Sequence, residues 1–96
     1  MRLSAQLANF VGKTIMIMDH RGYYFAGTVS KTLDQGGESV ALVLDKPYSL
    51  QEIYATRAPI SIDIGAPEIT IFVDSIAYIA QPEWINDGPW AVKKEK

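Results

Sequence analysis

The sequence predicts a mainly β domain: a short N-terminal helix followed by five strands that bend into a small barrel. Three observations carry this. Strand patterning runs from Lys13 to Leu33 with a glycine, Gly27, in the middle of its second segment. Turn-forming clusters stand at Asp19–Gly22 and Asp34–Ser39. Two further apolar runs, Ile69–Val73 and Ile76–Ile79, are separated only by Asp74-Ser75. A chain of 96 residues is one domain's worth and builds one core.

Residues 3–11 read as the helix. Leu3, Leu7 and Phe10 fall on one helical face, Ser4 is a capping residue, and Gly12 takes the left-handed conformation that ends a helix. Strand one starts at Lys13, with Ile15 and Ile17 on one face and Met16 and Met18 on the other. Asp19-His20-Arg21-Gly22 is a hairpin turn in which Gly22 accepts positive φ. Strand two covers residues 23–33, with Tyr23, Phe25, Gly27 and Val29 on one face. Glycine weakens a flat strand and marks a bend or bulge, and a bent long strand serves both halves of a small barrel. After the turn Asp34–Ser39, strand three runs from Val40 to Leu44 and stops at Asp45-Lys46-Pro47.

Residues 46–68 form an insertion of ambiguous pattern. Leu50, Ile53 and Tyr54 are spaced for a helical turn, whereas Ile60, Ile62 and Ile64 alternate as in a strand. A strand extension or an arm is expected, because long structureless loops are uncommon in compact domains. Strands four and five occupy 69–79, and the tail 80–96 carries Trp84 and Trp90, large indoles that favour docking on the barrel or a neighbour.

This order resembles a strongly bent SH3-like barrel of the Sm-like family. Gly12-Lys13-x-Ile15-x-Ile17, Gly22, and Phe25-x-Gly27-x-Val29 are similar to that family's first motif, and Ile76-Ala77-Tyr78-Ile79 after Val73-Asp74-Ser75 to its second. The resemblance covers residues 3–45 and 69–79. It implies a ring in which strand five of one copy lies beside strand four of the next, and binding of single-stranded RNA at the inner rim. Two departures touch that rim. Glu38 or Ser39 stands where the family has Asn, and Phe72-Val73 replaces its Arg-Gly. Both weigh against the family's uridine pocket and leave the barrel untouched.

Several function classes have no support. There is no cysteine, so disulfides and thiolate metal sites are excluded. One histidine beside scattered turn carboxylates offers no metal-ligand spacing and no catalytic constellation, and no phosphate loop or cofactor motif is present. Catalytic residues, metals and cofactors are therefore all expected to be none. No apolar run reaches the roughly 20 residues that span a bilayer, and the N-terminus lacks a secretory pattern. A cytoplasmic protein without a membrane partner is the expectation. The net charge of −2 gives no general attraction for nucleic acid, and the Lys93–Lys96 cluster reads as a solvated end.

The expected partners are other copies of the chain and, at a local site, single-stranded RNA. Ile69, Ile71, Val73, Ile76 and Tyr78 are the candidate subunit-interface residues, on strands that contain no lysine or proline to blunt an edge. The RNA-binding candidates are Asp34 and Ser39 in the inner-rim loop, Phe72 and Asp74 at the facing corner, and His20, Arg21, Tyr23 and Tyr24 around the first hairpin. Each also has a plain structural reading, in packing, a turn or an exposed surface. Two alternatives stay open: a ring that does not bind RNA, and a monomeric adaptor with an aromatic groove of Tyr23, Tyr24 and Trp84.

Overall fold

The computed structural model describes residues 6–51 and 60–87. Within them six antiparallel strands form one bent sheet: β1 Thr14–Asp19, β2 Tyr24–Gln35, β3 Glu38–Gln51, β4 Ile60–Asp63, β5 Glu68–Phe72 and β6 Ile76–Ala80. The sheet order is β4-β3-β2-β1-β6, with β5 also on β3.

Among the described residues the expected helix is a 3-10 turn, Leu7–Phe10, and Leu3 and Ser4 lie outside them. The apolar pair Leu7 and Phe10 is three residues apart, which matches the three-residue repeat of a 3-10 turn as well as an α-helical face. The turn docks by these two side chains, and Gly12 follows at φ 86°. The first hairpin forms as read, with Gly22 at φ 92°. The second is tighter than read. Asp34 and Ser39 are a cross-strand pair, and only Gly36 and Gly37, both at positive φ, make the turn.

The largest correction concerns strand three, which does not stop at Asp45-Lys46-Pro47 but continues to Gln51. The three residues form a bulge opposite the bend at Gly27, where the register shifts between Ala26 and Thr28. Lys46 takes φ 52°, and its N–H donates to the Pro67 carbonyl at 2.9 Å. The Pro47 carbonyl accepts from the Ile64 N–H at 3.2 Å. A proline is tolerated here because a bulge releases it from the ladder. A Cβ at Gly27 would stand 3.1 Å from the Leu44 Cβ and 3.2 Å from the Asp45 carbonyl oxygen, so glycine lets the two bends nest without pushing either neighbour aside.

The part of the insertion that is described is an arm. β4 pairs with Tyr48–Gln51 and β5 with Ala41–Asp45, so the two follow one another along the same edge of β3. The candidate helical residues Ile53 and Tyr54 lie outside the described residues; Leu50 belongs to β3.

The two faces of the sheet are packed separately. Leu7, Ile15, Ile17, Val29, Leu42, Leu44, Ile71 and Ile76 form the main core on the inner face. Burying each is worth about 1.5–3 kcal/mol. Met16, Ala26 and Leu50 lie on the outer face, covered by Trp84 and Ile85 from a 3-10 turn, Glu83–Asp87. The tail thus docks through Trp84, while Trp90 lies outside the described residues.

Candidate functional site

The end of β1 carries a buried carboxylate that organises the first hairpin. Asp19 is 3% exposed. Its Oδ1 accepts the backbone N–H of Arg21 at 3.0 Å and of Tyr23 at 2.9 Å, and its Oδ2 accepts Arg21 Nε at 3.2 Å and Nη2 at 2.9 Å. Burial alone would raise the Asp19 pKa. The Tyr23 N–H, the Arg21 guanidinium and the Arg21 N–H outweigh it and hold the carboxyl below its ordinary value. The Arg21 side chain is 73% exposed, and its guanidinium carbon lies 4.9 Å from the centroid of the Tyr23 ring.

This hairpin is tied to the corner between β5 and β6, a 3-10 turn Val73–Ser75. The His20 N–H donates to the Ser75 carbonyl at 3.0 Å, and the Ser75 hydroxyl donates to the Phe72 carbonyl at 2.8 Å. Between hairpin and corner opens a cleft of about 440 Å³. Phe25 and Ile71 contribute apolar lining, and Arg21, Phe72, Ser75 and Asp19 also border it. Phe72 is 55% exposed although it is apolar.

The Asp34–Ser39 pair lies near the same corner. The Ser39 hydroxyl donates to Asp34 Oδ1 at 2.9 Å, and the Thr32 hydroxyl reaches the same oxygen at 3.4 Å. Phe72 is paired with Ala41, two residues beyond Ser39 on β3. The fold therefore brings Arg21, Phe72 and Ser75 to one opening, with His20 and Tyr23 on the adjoining hairpin, and sets Asp34 and Ser39 at the neighbouring end of β3. Asp74 is exposed in the corner turn.

Tyr24 is separated from this group. It lies opposite Met18 and Leu50 on the outer face, packs on the cluster of Met16 and Trp84, and shares a hydrogen bond with Tyr78. That bond, with burial, raises the Tyr78 pKa above its ordinary value. Among the interface candidates, Ile71 and Ile76 have their side chains in the main core, and Ile69 and Val73 pack against it. Tyr78 is 43% exposed.

Two features had little sequence signal. Asp19 sits in a polar turn cluster, and its burial against the N–H groups of Arg21 and Tyr23 comes only with the folded hairpin. A second cleft, of about 840 Å³, lies on the outer face, bordered by Thr14, Thr28, Tyr48, Asp63 and Asn86. The hydroxyls of Thr14 and Thr28 are 3.0 Å apart there. It arises from the β3 bulge and the docking of Glu83–Asp87, neither of which local patterning displays. Among the described residues no group of three or more His, Cys, Asp or Glu is placed to hold a metal ion.

No protein-family model matches the chain, and a search of curated proteins finds no match. Among solved structures the chain is similar to a heptameric archaeal Sm protein, with a TM-score of 0.52 and 14% identity, over 81% of this chain and 96% of that one. The likeness is one of fold, and the chain has the Sm-like fold.

Proposed function

We propose that the protein is a non-catalytic, cytoplasmic, homo-oligomeric ring that binds single-stranded RNA without the uridine pocket usual for its fold. One observation carries the assembly. Among the described residues, β5 pairs only with β3 and β6 only with β1, so each keeps one edge without a partner. Among the described residues, neither β4 nor the turn bearing Trp84 covers these edges, because β4 pairs with β3 and Trp84 packs on the outer face. Open, lysine-free edges invite a strand from another copy. Pairing β5 of one copy with β6 of the next joins the curled sheets edge to edge and leads round a ring. The similar archaeal Sm protein is a heptamer, which supports this route.

RNA binding is supported by two side chains near these edges, an exposed arginine, Arg21, and an exposed phenylalanine, Phe72. Cations near phosphate and aromatic rings under bases are what single strands require. The ring without RNA binding is the outcome to set against it.

Light scattering on the full chain gives the subunit number, and a monomer at micromolar concentration refutes the ring. Thr70→Lys with Ala77→Lys places charges on β5 and β6 at exposed positions. This variant is expected to stay folded by circular dichroism and to lose assembly. Titration with labelled oligonucleotides at two salt concentrations tests the RNA reading, with binding that weakens as salt rises expected.

A further inference from the structure

Two rows of side chains cross the outer face of the sheet in register. Met16, Ala26, Tyr48 and Asp63 stand opposite one another from β1 to β4, and Thr14, Thr28 and Asp45 form the next row. Trp84 and Ile85 pack on the apolar part of the first row. The second row is half-buried at the threonines and exposed at Asp45, and it floors the cleft of about 840 Å³. That volume falls in the roughly 300–1,000 Å³ range of small-ligand sites. None of the lining residues belongs to β5 or β6, so strand pairing between copies uses none of them.

The lining mixes hydrogen-bonding types. Asp45 and Asp63 accept, Lys46 donates, and Asn86 and the two threonine hydroxyls do both. The Thr14 and Thr28 hydroxyls are 3.0 Å apart, so one gives its hydrogen to the other and the pair keeps one donor for a ligand. Asp63 is fixed through Oδ1 by the Gly65 N–H at 2.8 Å. Asp45, Lys46 and Asn86 are exposed. A phosphate group only accepts hydrogen bonds and meets two carboxylates here; an ammonium group only donates them and meets Lys46. A hydroxyl does both, so a ligand with several adjacent hydroxyls uses the whole lining. A sugar ring also has C–H faces, which match the apolar side of the cleft at Ile85 and the Tyr48 ring. A nucleobase mixes donors and acceptors as well, but its flat faces call for an exposed aromatic ring, and Tyr48, the aromatic residue of this lining, is half-buried.

We propose that this cleft binds a neutral sugar through adjacent hydroxyls, with Asp45 and Asp63 accepting from them, Lys46 and Asn86 donating to them, and Ile85 and Tyr48 against a C–H face. The site is independent of the ring and of RNA binding.

The test is saturation-transfer difference NMR on the full chain with glucose, galactose and maltose at millimolar concentrations, a readout that registers weak binding to a monomer or a ring alike. A saturable signal from at least one sugar is expected, strongest on its ring C–H protons. Asp45→Ala and Asn86→Ala alter exposed side chains and are expected to keep the fold by circular dichroism. Asp45→Ala removes a charged acceptor and is expected to weaken binding roughly ten-fold or more. No saturable signal from any of the three sugars overturns the site. A signal that both variants leave unchanged places the sugar elsewhere and overturns it too. Tighter binding of orthophosphate, spermidine or cytosine in the same cleft, read by displacement of the sugar signal, overturns the assignment to hydroxyls.

Discussion

Removing the Asp19 carboxylate tests the account of the first hairpin. In Asp19→Ala, the N–H groups of Arg21 and Tyr23 lose their acceptor and Arg21 loses its ion pair. A hydrogen bond to a charged group contributes about 1.5–3 kcal/mol. Residues 21 and 23 are exposed, so their N–H groups regain water, and about 1 kcal/mol each is the appropriate figure. The ion pair adds about 0.5 kcal/mol, because the guanidinium side chain is largely in solvent. The sum is a loss of about 2–3 kcal/mol. With a urea m-value near 1 kcal/mol/M for a domain this small, the midpoint falls by roughly 2–3 M at a fixed protein concentration. Asp19→Asn keeps an oxygen for both N–H groups and loses about half as much.

The pH dependence follows from the same contacts. Folding lowers the Asp19 pKa, so its contribution is complete above the unfolded value of about 4 and fades as the pH falls through the lowered one. The gap between wild type and Asp19→Asn should therefore be full at neutral pH and close in acid. A midpoint for Asp19→Ala within experimental error of wild type, or a gap to Asp19→Asn that does not narrow in acid, refutes this account.

Other substitutions test the rest of the fold. Gly27→Ala brings a Cβ within 3.1 Å of Leu44 and 3.2 Å of the Asp45 carbonyl and should cost about 1–3 kcal/mol in urea unfolding, with Gly27→Val worse; an alanine variant as stable as wild type would show the bend has room. Trp84→Ala empties the outer-face cluster, so a loss of about 3–5 kcal/mol is expected by the same assay, and a loss under about 1 kcal/mol would mean the turn is not docked there in solution. Tyr24→Phe removes the hydrogen bond that raises the Tyr78 pKa, so an NMR titration of ring-labelled tyrosine should find Tyr78 ionising at lower pH in the variant. Ile71→Asp and Ile76→Asp strike the core and are expected to unfold the chain rather than merely dissociate it, as a loss of the circular dichroism signal would record.

Local patterning was sufficient for much of the molecule. The hairpin at Gly22, the bend at Gly27, the inward Ile15, Ile17 and Val29, and the glycine after Phe10 depend on a residue's own backbone freedom or on its neighbours one or two positions away. These preferences are legible wherever they occur. The N-terminal turn shows the limit of the method, since the short spacing from Leu7 to Phe10 serves two helix types.

The path of β3 through Lys46 and Pro47 was settled only by tertiary structure. Those residues read as a stop until the bend of β2 at Gly27 and the carbonyl of Pro67, 21 residues further on, give the bulge its partners. The functional residues follow the same rule. Tyr23 and Tyr24 are adjacent, yet one lies under Arg21 and the other faces Met18 and Tyr78. The sequence by itself determined a β domain bent at Gly27 and carrying two short strands of apolar character at 69–79. That Arg21 comes to stand across a cleft from Phe72, with Asp19 fixing its orientation, was decided by strand register between segments some 50 residues apart, because register is set by which distant side chains pack together and local alternation carries no record of it.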